Sequence, residues 1–130
     1  MGTNALTAVA ISPMPLDRYA AVLHTEQLAE IQAGVARARA AFAGRVVWNV
    51  SSTAHGGGVA EMLTTLLAYA RDAGVDARWQ VINAAPEFFE VTKRIHNRLH
   101  GFAGDGGPLG DAERTTYESA LGASAEALEA

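Results

Sequence analysis

The chain has 130 residues and a formal net charge of −4, so it is long enough for one domain but carries no electrostatic footprint for nucleic acid or an anionic membrane. It contains no cysteine, which excludes disulfides and thiolate metal sites and favours a cytoplasmic location. No apolar run approaches the roughly 18 to 20 residues of a membrane span. Because 27 residues are alanine, we expect a thin, helix-rich core.

The first 15 residues are predicted to be a flexible leader or a short edge strand. Residues 1–4 favour a disordered start, whereas residues 6–11 could form a strand. Pro13 and Pro15 then prevent regular structure, because proline lacks the backbone N–H and has a restricted φ.

The next segment predicts a short turn and then a helix. Residues 16–19 suit one helical turn. Thr25 is the expected cap of the helix that follows, and Gly44 is its expected end. The apolar side chains of this helix recur on one stripe, which should face a core: Leu28, Ile31, Val35 and Phe42.

The central part of the chain predicts a strand, a glycine loop, a helix and a second strand. Residues 45–50 are mostly apolar and β-branched, which is typical of a parallel strand buried on both faces. A loop at residues 51–58 leads to a helix at residues 59–73, and Gly74 ends it. The apolar stripe of this helix is Met62, Leu63, Leu66, Leu67 and Ala70. Residues 77–82 provide the second strand, so the pattern indicates a right-handed crossover unit.

Two further helices are predicted, separated by a loop. The first covers residues 86–100, where a proline suits the opening position and the charges complement the helix dipole. Residues 101–110 contain five glycines and one proline, so we expect a mobile loop. Asp111 should cap a final helix over residues 111–130, interrupted or weakened at Gly122. The buried stripe expected for the earlier helix is Phe88, Val91, Ile95 and Leu99.

These elements predict an α/β fold, namely a partial Rossmann-like domain with a doubly wound parallel sheet. Two central strands would leave both edges of that sheet open, whereas doubly wound sheets usually have more strands. Residues 16–130 therefore look like an incomplete domain, the first part of a larger one. An open edge also predicts self-association.

The segment from His55 to Gly58 is the strongest candidate for a ligand site. It contains three consecutive glycines where a strand meets the start of a helix. Backbone N–H groups and the helix dipole favour an anion there, and glycine allows close approach, so a phosphate or a sugar hydroxyl would fit. The alternative is a tight turn without a ligand. No Gly-Lys-Ser/Thr follows, and Glu61 replaces the third small residue of a dinucleotide fingerprint.

Other polar residues admit two interpretations each. Glu61 could contact a sugar hydroxyl or only complement the helix dipole. His96 and His100 have a metal-ligand spacing, but the sequence offers no third ligand, so we predict no metal and no cofactor. Lys93 and Asn97 would normally be solvated, yet their helix begins at the carboxyl rim of the predicted sheet, where α/β folds bind ligands. No nucleophile elbow exists, and the catalytic residues stay unknown.

The central motif resembles the amino-terminal segment of retaining glycosyltransferases of family four, of the trehalose synthase type. The similarity is carried by residues 47–63, which include the glycine loop. It continues through residues 74–79 and 87–101, which resemble the second strand and following helix of that family. Residues 16–19 resemble its leader. In all, the resemblance covers residues 16–120.

The resemblance implies a B-type glycosyltransferase with two Rossmann-like domains and an active site in the cleft between them. It assigns the donor diphosphate to the loop glycines Gly56, Gly57 and Gly58. It also implies contacts to the acceptor or to a sugar, at four positions: His55, Glu61, Lys93 and Asn97. The implied substrates are a nucleotide-glucose and glucose.

The resemblance leaves two hypotheses for the chain itself. The first is the acceptor-side part of a glycosyltransferase, inactive alone because the donor-binding domain and the expected catalytic loop would lie beyond residue 130. The second is a non-catalytic α/β module that dimerises or complements another chain. An assay for trehalose from nucleotide-glucose and glucose separates them.

Overall fold

The computed structural model describes residues 4–129, so residues 1–3 of the predicted disordered start and residue 130 of the predicted last helix lie outside it. The elements in chain order are β1 (Leu6–Val9), a 3-10 helix (Leu16–Ala21), α1 (Thr25–Ala41), β2 (Val46–Ser51), α2 (Gly58–Asp72), β3 (Asp76–Ile82), α3 (Pro86–Leu99) and α4 (Asp111–Glu129). The strands form one sheet in the order β1-β3-β2. The predicted α/β class is therefore confirmed.

Contacts divide the described chain into two compact units, residues 8–81 and residues 4–7 with 82–129. Asn83 ties the second unit together, since its backbone N–H donates to the Ala5 carbonyl at 2.8 Å and its side-chain amide donates to the Thr7 hydroxyl at 2.7 Å. A single incomplete domain over residues 16–130 stays a prediction. No helix within residues 4–129 is both long enough and apolar enough to cross a membrane.

Trp79 is the centre of the core in residues 8–81. Strands β2 and β3 pair in parallel, with Asn49 opposite Trp79, and the α2 crossover covers this face of the sheet. Trp79 is 2% exposed and packs with Ala60 and Leu67 of α2. Its indole N–H donates to the Ser51 hydroxyl at 2.8 Å, so burying the ring leaves its polar atom paired.

The opposite face of β2 is exposed, which corrects the prediction of a strand buried on both faces. Strand β2 lies at the sheet edge, and β3, not β2, is central. The side chains of Val46, Trp48 and Val50 are 37% to 43% exposed. Arg78 lies 5.3 Å from the centre of the Trp48 ring. The apolar run correctly indicated a strand, but its hydrophobicity did not show whether a second layer covers it.

Helices α1 and α2 also bury less than their apolar stripes predict. In α2, Leu67 is buried, whereas Met62 and Leu66 are 56% and 54% exposed. Helix α1 has no buried residue among those described. Its N-cap is His24, not Thr25, because Thr25 is already helical, and the His24 backbone N–H donates to the Gln27 side chain at 3.1 Å.

Helices α3 and α4 pack through an aromatic contact. Phe88 of α3 stacks on Tyr117 of α4 with ring centres 5.8 Å apart. The predicted stripe fails at Leu99, which is 82% exposed at the end of α3. Helix α4 is continuous through Gly122, so it is not interrupted there, and a weakening at this position stays a prediction. Asp111 is its first residue and not its cap, because the preceding Gly110 carbonyl accepts the Arg114 N–H at 2.9 Å.

Candidate functional site

The glycine loop connects the end of β2 to the start of α2, and side-chain hydroxyls set its path. The Ser51 hydroxyl, which accepts from Trp79, donates to the Thr53 carbonyl at 2.9 Å. The Thr53 hydroxyl donates to the His55 carbonyl at 2.7 Å and accepts the His55 N–H at 3.1 Å. Hydrogen bonds thus run from the core tryptophan to the residue just before the glycines.

The three loop glycines are present for different reasons. Gly56 and Gly57 have φ values of 75° and 87°, and the Gly57 ψ of 151° completes a conformation that is essentially restricted to glycine. Gly58 has no positive φ, and a Cβ added there would meet no atom of the described chain within 4 Å. Neither backbone conformation nor packing within residues 4–129 explains Gly58.

The amino terminus of α2 is open. Within the described chain no side chain caps it, and the first helical bond runs from the Glu61 N–H to the Gly57 carbonyl at 3.4 Å. The N–H groups of the residues before Glu61 have no partner within the helix, and they lie at the positive end of its dipole. His55, Glu61 and the glycines are all exposed. This end of α2 could bind an anionic group.

A second candidate site lies along α3, in a concavity of about 630 Å³. Its lining residues come from α3 and its flanking loops: Ala84, Pro86, Phe89, Glu90, Lys93, Arg94, Asn97 and Asp105. The structure therefore brings together Lys93 and Asn97, one turn apart on α3, around one space. Phe89 offers an apolar ring, while Lys93 and Asn97 offer hydrogen-bond donors to a ligand.

Loop 101–110 is attached to α3 by arginine side chains. Arg94 Nε lies 3.1 and 2.8 Å from the two carboxylate oxygens of Asp105. Arg98 donates to the Gly107 carbonyl at 2.9 Å, and the Gly107 N–H donates to Asp105 at 2.9 Å. The loop has no helix or strand, as predicted, and these bonds attach it to α3. Its mobility stays a prediction.

Electrostatics reinforce this attachment. The Gly107 N–H, followed by the Arg94 guanidinium, holds the pKa of Asp105 below its ordinary value. The hydrogen bond to Asp105 in turn raises the pKa of Arg94. The pKa of Glu113 is also lowered, chiefly because the Gly110 N–H donates to its carboxylate. Asp105 and Arg94 are therefore both charged at neutral pH.

Sequence reasoning missed Arg94 and Asp105. A weak signal was available, since Asp105 is the one charged residue among residues 101–110, and Arg94 and Arg98 are four residues apart on α3. Sequence reasoning did single out His96 and His100, whose ring centres lie 4.5 Å apart. The described residues contain no cluster of three or more potential metal ligands around them.

The two candidate sites belong to different compact units. His55, Glu61 and the loop glycines lie in residues 8–81, whereas Lys93 and Asn97 lie in residues 82–129. The first candidate site is built from backbone groups and the second from side chains.

Both sites fall in a stretch that matches a known family. Residues 49–130 match the family described as trehalose synthase, N-terminal domain. The chain belongs to this family. The match runs from within β2 through the glycine loop and α3 to the end of the chain, so it contains every candidate residue. It confirms the family that the sequence motifs indicated.

Individual relatives agree with the family match. The chain is 42% identical over 83 residues to a trehalose synthase of Rubrobacter xylanophilus, covering 64% of this chain and 19% of the relative. It is 41% identical over 86 residues to one of Pyrococcus horikoshii, covering 66% and 20%. A trehalose phosphorylase of Pleurotus pulmonarius is 45% identical over 53 residues, covering 41% and 7%. The chain thus spans about a fifth of the length of these trehalose synthases.

Proposed function

We propose that this chain forms the acceptor-side part of a B-type glycosyltransferase that joins glucose from a nucleotide-glucose donor to free glucose, giving trehalose. Membership of the trehalose synthase N-terminal family supports this assignment. Because the chain spans about a fifth of the curated trehalose synthases, we expect no glycosyl transfer from the 130 residues alone. The cytoplasmic location suggested by the cysteine-free sequence stays a prediction.

The observation that carries the proposal is the open space at Gly58 beside the uncapped end of α2. A glycine that neither conformation nor packing requires is explained if a ligand approaches the backbone at that point. The donor diphosphate has the charge that the N–H groups and the helix dipole favour. Gly56, Gly57 and Gly58 would contact this diphosphate, and His55 and Glu61 would contact a neighbouring sugar.

The concavity along α3 is proposed to hold the glucose acceptor. Two cations, Lys93 and Arg94, and two carboxylates, Glu90 and Asp105, line it, so its formal charge is balanced. A balanced lining suits an uncharged sugar, because no net charge is left to require an ionic ligand. Lys93 and the Asn97 amide would donate hydrogen bonds to sugar hydroxyls.

The decisive experiment places the smallest side chain at Gly58 in a complete two-domain enzyme that carries these residues. Gly58→Ala adds a methyl group where the diphosphate is proposed to approach, yet alanine is the better helix former by about 1 kcal/mol. We expect kcat/KM for nucleotide-glucose to fall at least about tenfold, with an unchanged or higher Tm. Trehalose formation would be measured with a panel of UDP-, ADP- and GDP-glucose donors.

The matched control is Gly122→Ala in α4, where an added Cβ also meets nothing within 4 Å in the described chain. It makes the same chemical change at another helical glycine and should leave the kinetics unaltered. Equal kinetics for Gly58→Ala, Gly122→Ala and the parent enzyme would refute the donor site. Absence of trehalose from every donor would refute the assigned reaction.

A second candidate function is a non-catalytic module that associates with itself or with another chain. It is favoured by the edge position of β2 and by the exposed apolar side chains of Trp48, Met62 and Leu66. We propose homo-oligomer formation through the edge of β2 and its exposed face, which carries Trp48, for either function. Light scattering at about 100 μM detects weak contacts. Trp48→Glu should reduce the mass to that of a monomer, whereas Val22→Glu, at another exposed position, should not. A monomeric parent chain would contradict the proposal.

A further inference from the structure

Loop 101–110 has few apolar contacts with which to hold its position. Its two large apolar side chains are exposed, Phe102 to 68% and Leu109 to 37%. Within residues 4–129, its backbone is organised by local turn bonds, by contacts to α3 and by the bond from the Gly110 N–H to Glu113 of α4 at 2.9 Å. Phe102 N–H donates to the Asn97 carbonyl at 2.8 Å, which joins the start of the loop to the end of α3. Polar bonds, most of them to α3 and one to α4, therefore determine the path of the loop.

One guanidinium group spans the middle of this loop. Arg94 binds both carboxylate oxygens of Asp105 through Nε, and its Nη1 donates to the Pro108 carbonyl at 3.4 Å. Glu90 and Glu113 each lie 4.0 Å from an Arg94 nitrogen. The Arg94 side chain is only 18% exposed. A partly buried, multiply bonded arginine of this kind keeps its geometry better than an exposed ion pair does.

The loop packs directly on the side chains that line the concavity. A Cβ added at Gly107 would collide with the Arg94 guanidinium, and one added at Gly104 would collide with the Asn97 amide. Glycine at these two positions lets the loop backbone approach α3 closely. The orientation of the Asn97 side chain therefore depends on where the loop lies.

We infer that Arg94 and Asp105 are positioning residues for the proposed acceptor site. Their ion pair holds loop 101–110 against α3, so that Asn97 and Lys93 face a concavity that exists before the sugar arrives. The inference rests on the proposed function, since it specifies how the same site is prepared. Asp105 accepts hydrogen bonds from Arg94 and from the Gly107 N–H, and it is assigned this positioning role and no contact to the sugar.

Preorganisation predicts a specific kinetic signature. If the loop is not fixed beforehand, part of the free energy of glucose binding is used to order the site. Glucose binding is therefore weaker, whereas donor binding is unchanged. In a complete enzyme, Asp105→Ala should raise KM for glucose about tenfold, the effect of losing one charge-assisted bond. KM for nucleotide-glucose and kcat should each stay within about threefold of the parent values. Asp105→Asn keeps an oxygen that can accept the Gly107 N–H, so its KM for glucose should lie between those of the parent enzyme and Asp105→Ala.

Two measurements accompany the kinetics. Hydrogen exchange of peptides covering residues 101–110 reports the loop directly and should accelerate at least about tenfold in Asp105→Ala. Glucose affinity by saturation-transfer NMR does not require turnover. Asp105 is exposed, so its replacement leaves the core intact. The matched control, Glu118→Ala, removes an exposed ion pair of α4 whose nitrogen and oxygen are 2.7 Å apart, and it should change neither measurement.

The outcomes separate this inference from the proposed function. If Asn97→Ala and Lys93→Ala leave glucose affinity unchanged, the acceptor site itself is wrong. If those variants weaken glucose binding but Asp105→Ala does not, the positioning role is overturned and the site stands. Unchanged exchange of residues 101–110 in Asp105→Ala also overturns the positioning role. Faster exchange together with weaker glucose binding and unchanged donor binding supports it.

Discussion

The two glycine-rich segments of this chain use glycine in opposite ways. In loop 51–58, a side chain added at Gly58 would enter open space, whereas in loop 101–110, one added at Gly107 would strike Arg94. Gly58 leaves room for something outside the described chain, whereas Gly104 and Gly107 make room for the chain's own side chains. Glycine content alone therefore predicts neither a ligand site nor mobility, because the neighbour of the missing side chain decides its role.

The largest effect is expected from Gly57→Val in a complete two-domain enzyme. The Gly57 conformation is disfavoured for residues with a side chain, and valine should cost about 1 to 3 kcal/mol of stability. Its side chain would also stand beside the proposed diphosphate, so activity should fall at least about 100-fold, like the loss of an oriented transition-state donor. Trehalose formation and thermal unfolding would be measured together. Near-normal kinetics in a folded variant would instead support the interpretation of the loop as a turn that binds no ligand.

The comparison between the loops can be tested with one substitution in each. Gly107→Ala must displace the Arg94 guanidinium from its bonds to Asp105 and should lower the free energy of unfolding by about 1 kcal/mol for each hydrogen bond lost. Gly58→Ala adds the same methyl group in open space and should leave stability equal or higher. Chemical denaturation measures the free energy of unfolding of each variant. Equal values for the two variants would contradict the different roles of Gly58 and Gly107.

The smallest expected effect is a difference between the two loops in how their protection from hydrogen exchange depends on pH. Asp105 has a lower pKa in the folded chain than its ordinary value of about 3.9. Its stabilising contribution is therefore complete above that value and is lost as pH falls through the folded pKa. Hydrogen exchange of residues 101–110, corrected for its intrinsic pH dependence, should show protection lost in that acid range.

Loop 51–58 provides the internal control for this acid transition. Hydroxyl groups of Ser51 and Thr53 set its path, and these groups do not titrate in water at accessible pH. The protection of this loop should therefore not follow the transition of Asp105. Asp105→Asn should abolish that transition at Gly107, whereas Gly110 follows the Glu113 carboxylate. A transition that persists in Asp105→Asn would assign it to another carboxylate.

The sequence by itself determined the features that depend on neighbouring residues. The strand before the glycine loop, the amphipathic α2 after it and the proline at the start of α3 all follow from local preferences of the backbone and from short-range periodicity. The motifs around residues 47–63 and 87–101 were also sufficient to indicate the family, which the match over residues 49–130 confirms. Lys93 and Asn97 share one concavity because a spacing of four places them on one face of α3.

Only the tertiary structure decided which apolar faces are covered and which distant groups meet. Periodicity shows that Val46, Trp48 and Val50 share a face of β2, but their exposure depends on the position of that strand in the sheet. Likewise, Phe88 is buried and Leu99 exposed on one predicted stripe, because Phe88 has Tyr117 as a partner. The pairing of Arg94 with Asp105 depends on the path of a loop that contains no regular structure. Hydrogen bonds and ion pairs between residues that are distant in sequence set that path, and local sequence preferences do not encode them.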